Sequence, residues 1–208
     1  MLKFAILLVP IFFLVSCESY IPQSKEAKEF EERKKELKES IRKTSIDFGL
    51  APLADKTLSN DDLEIRFNRF GSGYIMPAYN DLLVKQSVFI LKRTNSEWSA
   101  NVIRDTFGLN EKRISEQVSP ASGWDNLFQQ LSDEDILTVS PDQDEEVYSD
   151  ATFFLIETNI DQRYRFAYSY IPNEASEEKG SKQVAKLFNL VLKEFDATDF
   201  QAPTRLFE

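Results

Sequence analysis

Thr152-Phe153-Phe154-Leu155-Ile156-Glu157-Thr158, then Asn159-Ile160-Asp161-Gln162, then Arg163-Tyr164-Arg165-Phe166-Ala167-Tyr168-Ser169-Tyr170 decide how this chain folds. Two runs rich in aromatic and β-branched residues flank four residues of turn type, which reads as an antiparallel hairpin. In the second run Tyr164, Phe166, Tyr168 and Tyr170 share one face, and Arg163, Arg165, Ala167 and Ser169 share the other. After Pro172 and a polar loop, Ser181 to Phe195 carries Val184, Leu187, Phe188, Val191 and Phe195 at helical spacing, widened by Leu190 and Leu192. That helix is expected to cover one face of the sheet. The tyrosine stripe is read as core beneath it.

Upstream, Leu63-Glu64-Ile65-Arg66-Phe67-Asn68-Arg69 alternates apolar and polar, as a half-buried strand does, and Gly71-Ser72-Gly73 ends it. These glycines do not form a dinucleotide loop, because Met76 stands where a third glycine belongs. Ser87 to Lys92 and Trp98 to Arg104 flank Thr94-Asn95-Ser96-Glu97 as a further hairpin, and Arg113 to Val118 reads as one more strand. Trp124, Leu127, Phe128 and Leu131 recur at helical spacing, so a short Trp-led helix follows. Strands joined by tight turns, with helices between and after them, give an α+β class with a mainly antiparallel sheet.

Ahead of this body lies a charged segment without Gly or Pro, Ser24 to Lys43, with Glu29–Arg33, Glu31–Lys35 and Glu39–Lys43 at favourable i,i+4 spacing. Its apolar positions, Ala27, Phe30, Leu37, Ile41 and Phe48, make a thin stripe. Two readings stand: a solvated helix resting one edge on the domain, or a coiled-coil contact with another copy or a partner. As a spacer, such a helix reaches about 30 Å.

The chain opens Met1-Leu2-Lys3, runs apolar from Phe4 to Val15, and reaches Ser16-Cys17. A positive start, a short apolar stretch and a small residue form a secretory signal peptide. About twelve apolar residues fall short of the roughly 20 that span a bilayer, and Pro10 interrupts them. Leu14-Val15-Ser16-Cys17 resembles the lipobox of bacterial lipoproteins. The resemblance implies removal of residues 1–16, diacylglyceryl and palmitate-type acylation at Cys17, and a place in the cell envelope. With Glu18 rather than Asp after the cysteine, it favours the outer membrane. The implied partner is the lipid bilayer, met through acyl chains on Cys17. The expected organisation is signal peptide 1–16, lipidated leader 17–23, charged helical spacer 24–48 and one α+β domain over 50–208. From about residue 50 the chain is similar to small uncharacterised bacterial proteins with a Trp-led helix, a hairpin and a terminal helix in this order, which implies no activity.

Composition narrows function by exclusion. There are 25 basic against 35 acidic residues and a pI near 4.7, so no nucleic-acid partner is expected. Histidine is absent and Cys17 is the sole cysteine, which removes His-dependent catalysis, His metal sites and internal disulfides. No catalytic residue, metal site or cofactor is expected. Two acidic clusters, Asp133/Glu134/Asp135 and Asp142/Asp144/Glu145/Glu146, are the material for a carboxylate-based hydrolase of an envelope polymer. Asp142-Gln143-Asp144 also begins like a calcium loop, but Val147 and Phe153 occupy the glycine and glutamate positions. A lipid-anchored, non-enzymatic module binding a protein or cell-wall partner is the leading reading. The hydrolase and a surface inhibitor or immunity-type protein are the alternatives. Candidate binding residues are Tyr164, Tyr168, Tyr170 and Trp124, since tyrosine and tryptophan offer an apolar ring with a polar tip.

Overall fold

A computed structural model describes residues 25–59, 61–70, 83–107, 113–141, 153–170, 174–175 and 178–196. Helix α1 (Lys25–Asp47) precedes strands β1 (Leu63–Phe70), β2 (Leu83–Thr94), β3 (Glu97–Phe107) and β4 (Arg113–Val118). Helix α2 (Trp124–Asp133), strands β5 (Phe153–Ile160) and β6 (Arg163–Ser169), and helix α3 (Lys179–Glu194) follow. The six strands form one antiparallel sheet in the order β4-β3-β2-β1-β5-β6, and the class is α+β. The first four strands make a meander. The chain then crosses back through α2 so that β5 lies beside β1.

Both hairpins close more tightly than their sequences suggest. Thr94 pairs with Glu97 and Ile160 with Arg163, leaving two-residue turns. Asn95, Ser96, Asp161 and Gln162 all have positive φ, the backbone of a type I′ turn that matches strand twist. Asn159 and Ile160, expected in the turn, belong to the strand instead.

One face of the sheet carries Ile65, Phe67, Phe89, Leu91, Val102, Phe154, Ile156 and Ala167 against Leu127 and Leu131 of α2 and Val184, Leu187, Phe188 and Val191 of α3. At its rim Trp98 and Trp124 stack, with ring centroids 5.8 Å apart and planes 3° from parallel. Glu194 ties the end of α3 to the approach of α2, its backbone carbonyl accepting from the Ala121 N–H and its carboxylate from the Ser122 N–H, each at 2.8 Å.

The opposite face corrects an expectation. The tyrosine stripe is not under the terminal helix. Tyr164, Phe166 and Tyr168 cluster instead with Leu155 and with Leu37 and Ile41 of α1. Strand alternation explains this: Ala167 and Ser169 are the small residues that let α3 approach, so the larger rings point to the other side. Helix α1 therefore packs on the sheet over its second half. Leu37, Ile41 and Ser45 lie at i,i+4 spacing, and Phe48 follows into a second cluster with Leu50, Val88, Ile90 and Ile103. Most of the thin apolar stripe is thus used within the chain, which fits the solvated-helix reading better than a coiled coil.

Gly49 ends α1. Its φ is +72°, its N–H donates to the Ile46 carbonyl, and the Leu50 N–H donates to the Ser45 carbonyl. This paired pattern is the Schellman motif, in which a left-handed residue satisfies the orphan carbonyls of the last turn. A Cβ at Gly49 would also stand 3.0 Å from Nη1 of Arg113, which donates to the Phe48 carbonyl. Gly49→Ala is expected to cost about 1–2 kcal/mol in urea unfolding. An unchanged midpoint would show that the α1 terminus does not hold this geometry.

Candidate functional site: a buried charge network beside a basic cleft

Between the two apolar clusters on the α1 side runs a strip of charge. Strand alternation puts Glu64, Arg66 and Asn68 of β1 beside Glu157 and Asn159 of β5, Tyr164 of β6 and Lys92 of β2 on one face. Arg66 is 1% exposed. Its Nε donates to Glu64 Oε1 at 2.8 Å, and its Nη2 donates to the Ala51 carbonyl at 2.8 Å. Lys56 donates to Glu64 Oε2, and Lys92 Nζ lies 3.7 Å from the same oxygen. The segment from Ala51 to Lys56, with a 3-10 turn at Leu53–Asp55, roofs the strip. It is stitched down by Asn159, whose amide donates to the carbonyls of Leu53 at 3.2 Å and Lys56 at 2.9 Å.

Two buried carboxylates respond to this setting in opposite ways. Burial pushes the Glu64 carboxyl up, but Arg66, Lys56 and Lys92 together hold it below the usual carboxylate range. Burial also pushes Glu157 up, and there it wins. The charge of Arg66 and the hydrogen bonds from Tyr164 and Asn68 offset it only in part, and Glu64 adds repulsion. The Tyr164 hydroxyl donates to Glu157 Oε1 and the Asn68 amide to Oε2, each at 3.1 Å. Burial raises the Tyr164 phenol far above its ordinary value, and the neighbouring Glu157 charge raises it further, so it remains a donor. Nη1 of Arg66 and Oδ1 of Asn159 are buried without a hydrogen-bond partner among the described residues.

Tyr164 also faces outward. It forms part of a cleft of about 510 Å³ with Phe166 and Arg165 of β6, Glu31, Lys34, Lys35 and Lys38 of α1, and residues 138–141. Strand β6 is the last of the sheet, so the cleft runs along an edge that no strand covers among the described residues. Four cations against one carboxylate line it, in a chain of net charge −10. Lys38 Nζ sits 5.4 Å from the Tyr164 ring centroid, and Lys34 Nζ is 3.6 Å from Glu31. Lys35 and Arg165 have no ion-pair partner among the described residues.

The candidates read from sequence do not meet in one place. Tyr164 joins network and cleft. Tyr168 and Tyr170 pack tilted against Phe153, with centroids 5.5 and 5.1 Å away. Trp124 lies on the other face of the sheet, with Trp98 and Phe195. In the first acidic cluster Asp133 accepts from Gln129, Glu134 pairs with Lys186 at 2.8 Å, and Asp135 turns the chain with φ 61°. Cys17 and the cluster Asp142/Asp144/Glu145/Glu146 lie outside the described residues, as does most of the calcium-loop-like stretch. Glu31 is the one carboxylate among the residues lining the cleft, so a two-carboxylate hydrolysis has no second partner among them. Among the described residues no group of three or more acidic, His or Cys side chains could hold a metal ion, and no helix is long and apolar enough to cross a membrane.

Sequence reading missed the charge strip and the cleft. The alternation of Leu63–Arg69 predicts a half-buried strand, yet its polar residues Glu64, Arg66 and Asn68 are buried as well. One signal was present: Glu157 directly follows Phe153-Phe154-Leu155-Ile156, and an unbroken apolar run marks a strand covered on both sides. No protein-family model matches this sequence, and no curated protein matches it.

Proposed function

We propose that the chain is a lipid-anchored envelope lipoprotein whose α+β domain acts by binding rather than by catalysis, with the outer membrane as its favoured site. The observation that carries this reading is that the only cysteine of the chain stands at Cys17, directly after Leu14-Val15-Ser16 and an apolar leader. One acyl chain binds a bilayer marginally, whereas the two or three of a lipoprotein hold it firmly. Eight residue steps separate Cys17 from the start of α1, a reach of at most about 28 Å. Because α1 packs on the sheet from Leu37 onward, the anchored domain would stand close to the membrane, with only the first half of the helix as spacer. A cleft with an excess of positive charge and the rings of Tyr164 and Phe166 in its wall suits recognition of a partner.

Growth with a clickable palmitate analogue tests the anchor. The full chain should take up label and fractionate with membranes, and Cys17→Ser should lose both. Label that persists in Cys17→Ser, or a free thiol at Cys17 in natively purified protein, would overturn the reading.

A further inference from the structure

We propose that the cleft between α1 and the edge of β6 binds an organic phosphate, a ligand with a compact multiply charged head and an apolar body. This rests on the binding-module reading only for the idea that the domain binds; the anchor plays no part in it. Lys34, Lys35 and Lys38 lie within little more than one helical turn on α1, and Arg165 of β6 lines the same cleft from the strand face opposite Tyr164 and Phe166, at the sheet edge, so two elements bring cations to one space. Three positive charges remain in excess after Glu31 is counted. Cations held side by side repel one another, and a bound anion relieves that repulsion. Lys35 and Arg165 keep their donors free for such an anion, since neither has an ion pair among the described residues.

The size and lining select phosphate over an acidic peptide. About 510 Å³ falls in the range of small-molecule pockets. Carboxylates on one face of an extended peptide stand about 7 Å apart, two residues along the strand, which spreads their charge. A phosphate concentrates its charge and offers oxygens to both the planar Arg165 fork and the lysine ammonium groups. The exposed Thr138 and Ser140 can supply hydroxyl donors, and the rings of Tyr164 and Phe166 can receive the apolar portion.

The test uses the full chain in a maltoside detergent, titrated calorimetrically with sodium pyrophosphate, with dihexanoyl phosphatidic acid, whose phosphomonoester head carries close to two charges, and with hexaglutamate. Binding of either phosphate probe is expected, weakening with added salt. The tighter of the two tells a free phosphate from a lipid headgroup. Lys35→Glu should weaken it about tenfold, the scale of one lost charge-assisted contact, and Lys35→Glu with Arg165→Glu should weaken it further without moving the melting temperature. Lys193→Glu, an equal charge change at the end of α3, should leave affinity close to that of the parent chain. The proposal falls if neither phosphate titrates at millimolar concentration, if hexaglutamate binds and the phosphates do not, or if Lys193→Glu weakens binding as much as Lys35→Glu. None of these results bears on palmitate labelling, so the two readings fail separately.

Discussion

Arg66→Leu is expected to destabilise the domain by about 3–5 kcal/mol, although leucine suits the surroundings of a strand better than arginine does. The guanidinium is buried between two carboxylates that are themselves buried, Glu64 and Glu157. Removing it leaves both in a medium that solvates charge poorly, and strips the Ala51 carbonyl of its donor. Lys56 and Lys92 still face Glu64, but the described contacts of Glu157 are then Asn68 and Tyr164, which are uncharged donors. Urea unfolding should show a lower midpoint with an unchanged slope. A loss under about 1 kcal/mol would mean that water reaches the strip and that the charges are not desolvated.

The same variant has a pH signature. Glu157 has a folded pKa raised by burial, so the folded state binds its proton more tightly than the unfolded chain does. Its unfavourable contribution is absent below the unfolded carboxylate value and grows as pH rises through the folded one. Glu64 runs the other way: its lowered pKa gives stability above the unfolded value, lost as pH falls through the folded one. Arg66→Leu raises Glu157 further and relaxes Glu64 upward. The destabilisation should therefore be largest near neutrality and shrink on acidification through the raised Glu157 value. Arg66→Leu with Glu157→Gln should recover part of the loss at neutral pH, and a loss independent of pH would assign the effect to packing alone.

Why the sheet was legible and the charge strip was not follows from the same strand alternation. The period of two in Leu63–Arg69 and Arg163–Tyr170 and the helical spacing of Val184, Leu187, Phe188 and Val191 mark β1, β6 and α3, because each depends on local pattern. Which layer covers which face depends on contacts far apart in sequence. The alternation that puts Ile65 and Phe67 inward is equally satisfied whether Glu64 and Arg66 meet water or meet Ala51 and Lys56. Only the fold of 50–56 over the sheet, held by Asn159 about 100 residues away, decides it. The cleft is less legible still. Lys34, Lys35 and Lys38 sit in a segment where acids and bases nearly balance, and they stand out only once Arg165, more than 120 residues later in the chain, is brought to the same cleft. Tyr164 was singled out from sequence, but as a ring on a face. Its hydroxyl contact with Glu157 depends on the Asn159–Tyr164 register across the hairpin.

Phe188→Ala is expected to cost about 3–5 kcal/mol, a large part of the 5–15 kcal/mol that holds a typical domain together. Phe188 is 3% exposed and meets two rings edge to face, Phe67 at 5.4 Å and Phe154 at 5.1 Å. Those rings belong to β1 and β5, the neighbours that come together only because the chain crosses back through α2. One side chain of α3 thus bridges the junction between the four-stranded meander and the β5–β6 hairpin. Alanine would leave a cavity that Val184, Leu187 and Val191, already fully buried, have little room to fill. The lost ring contacts add to the lost burial. For a chain of this size the melting temperature should fall by about 10 °C, with the hairpin and α3 losing hydrogen-exchange protection together. Phe188→Leu, which keeps most of the volume, should cost far less. If Phe188→Ala instead loses less than about 1 kcal/mol, or α3 loses protection while β5 and β6 keep theirs, then α3 does not clamp the junction and the two parts of the sheet are joined by strand pairing alone.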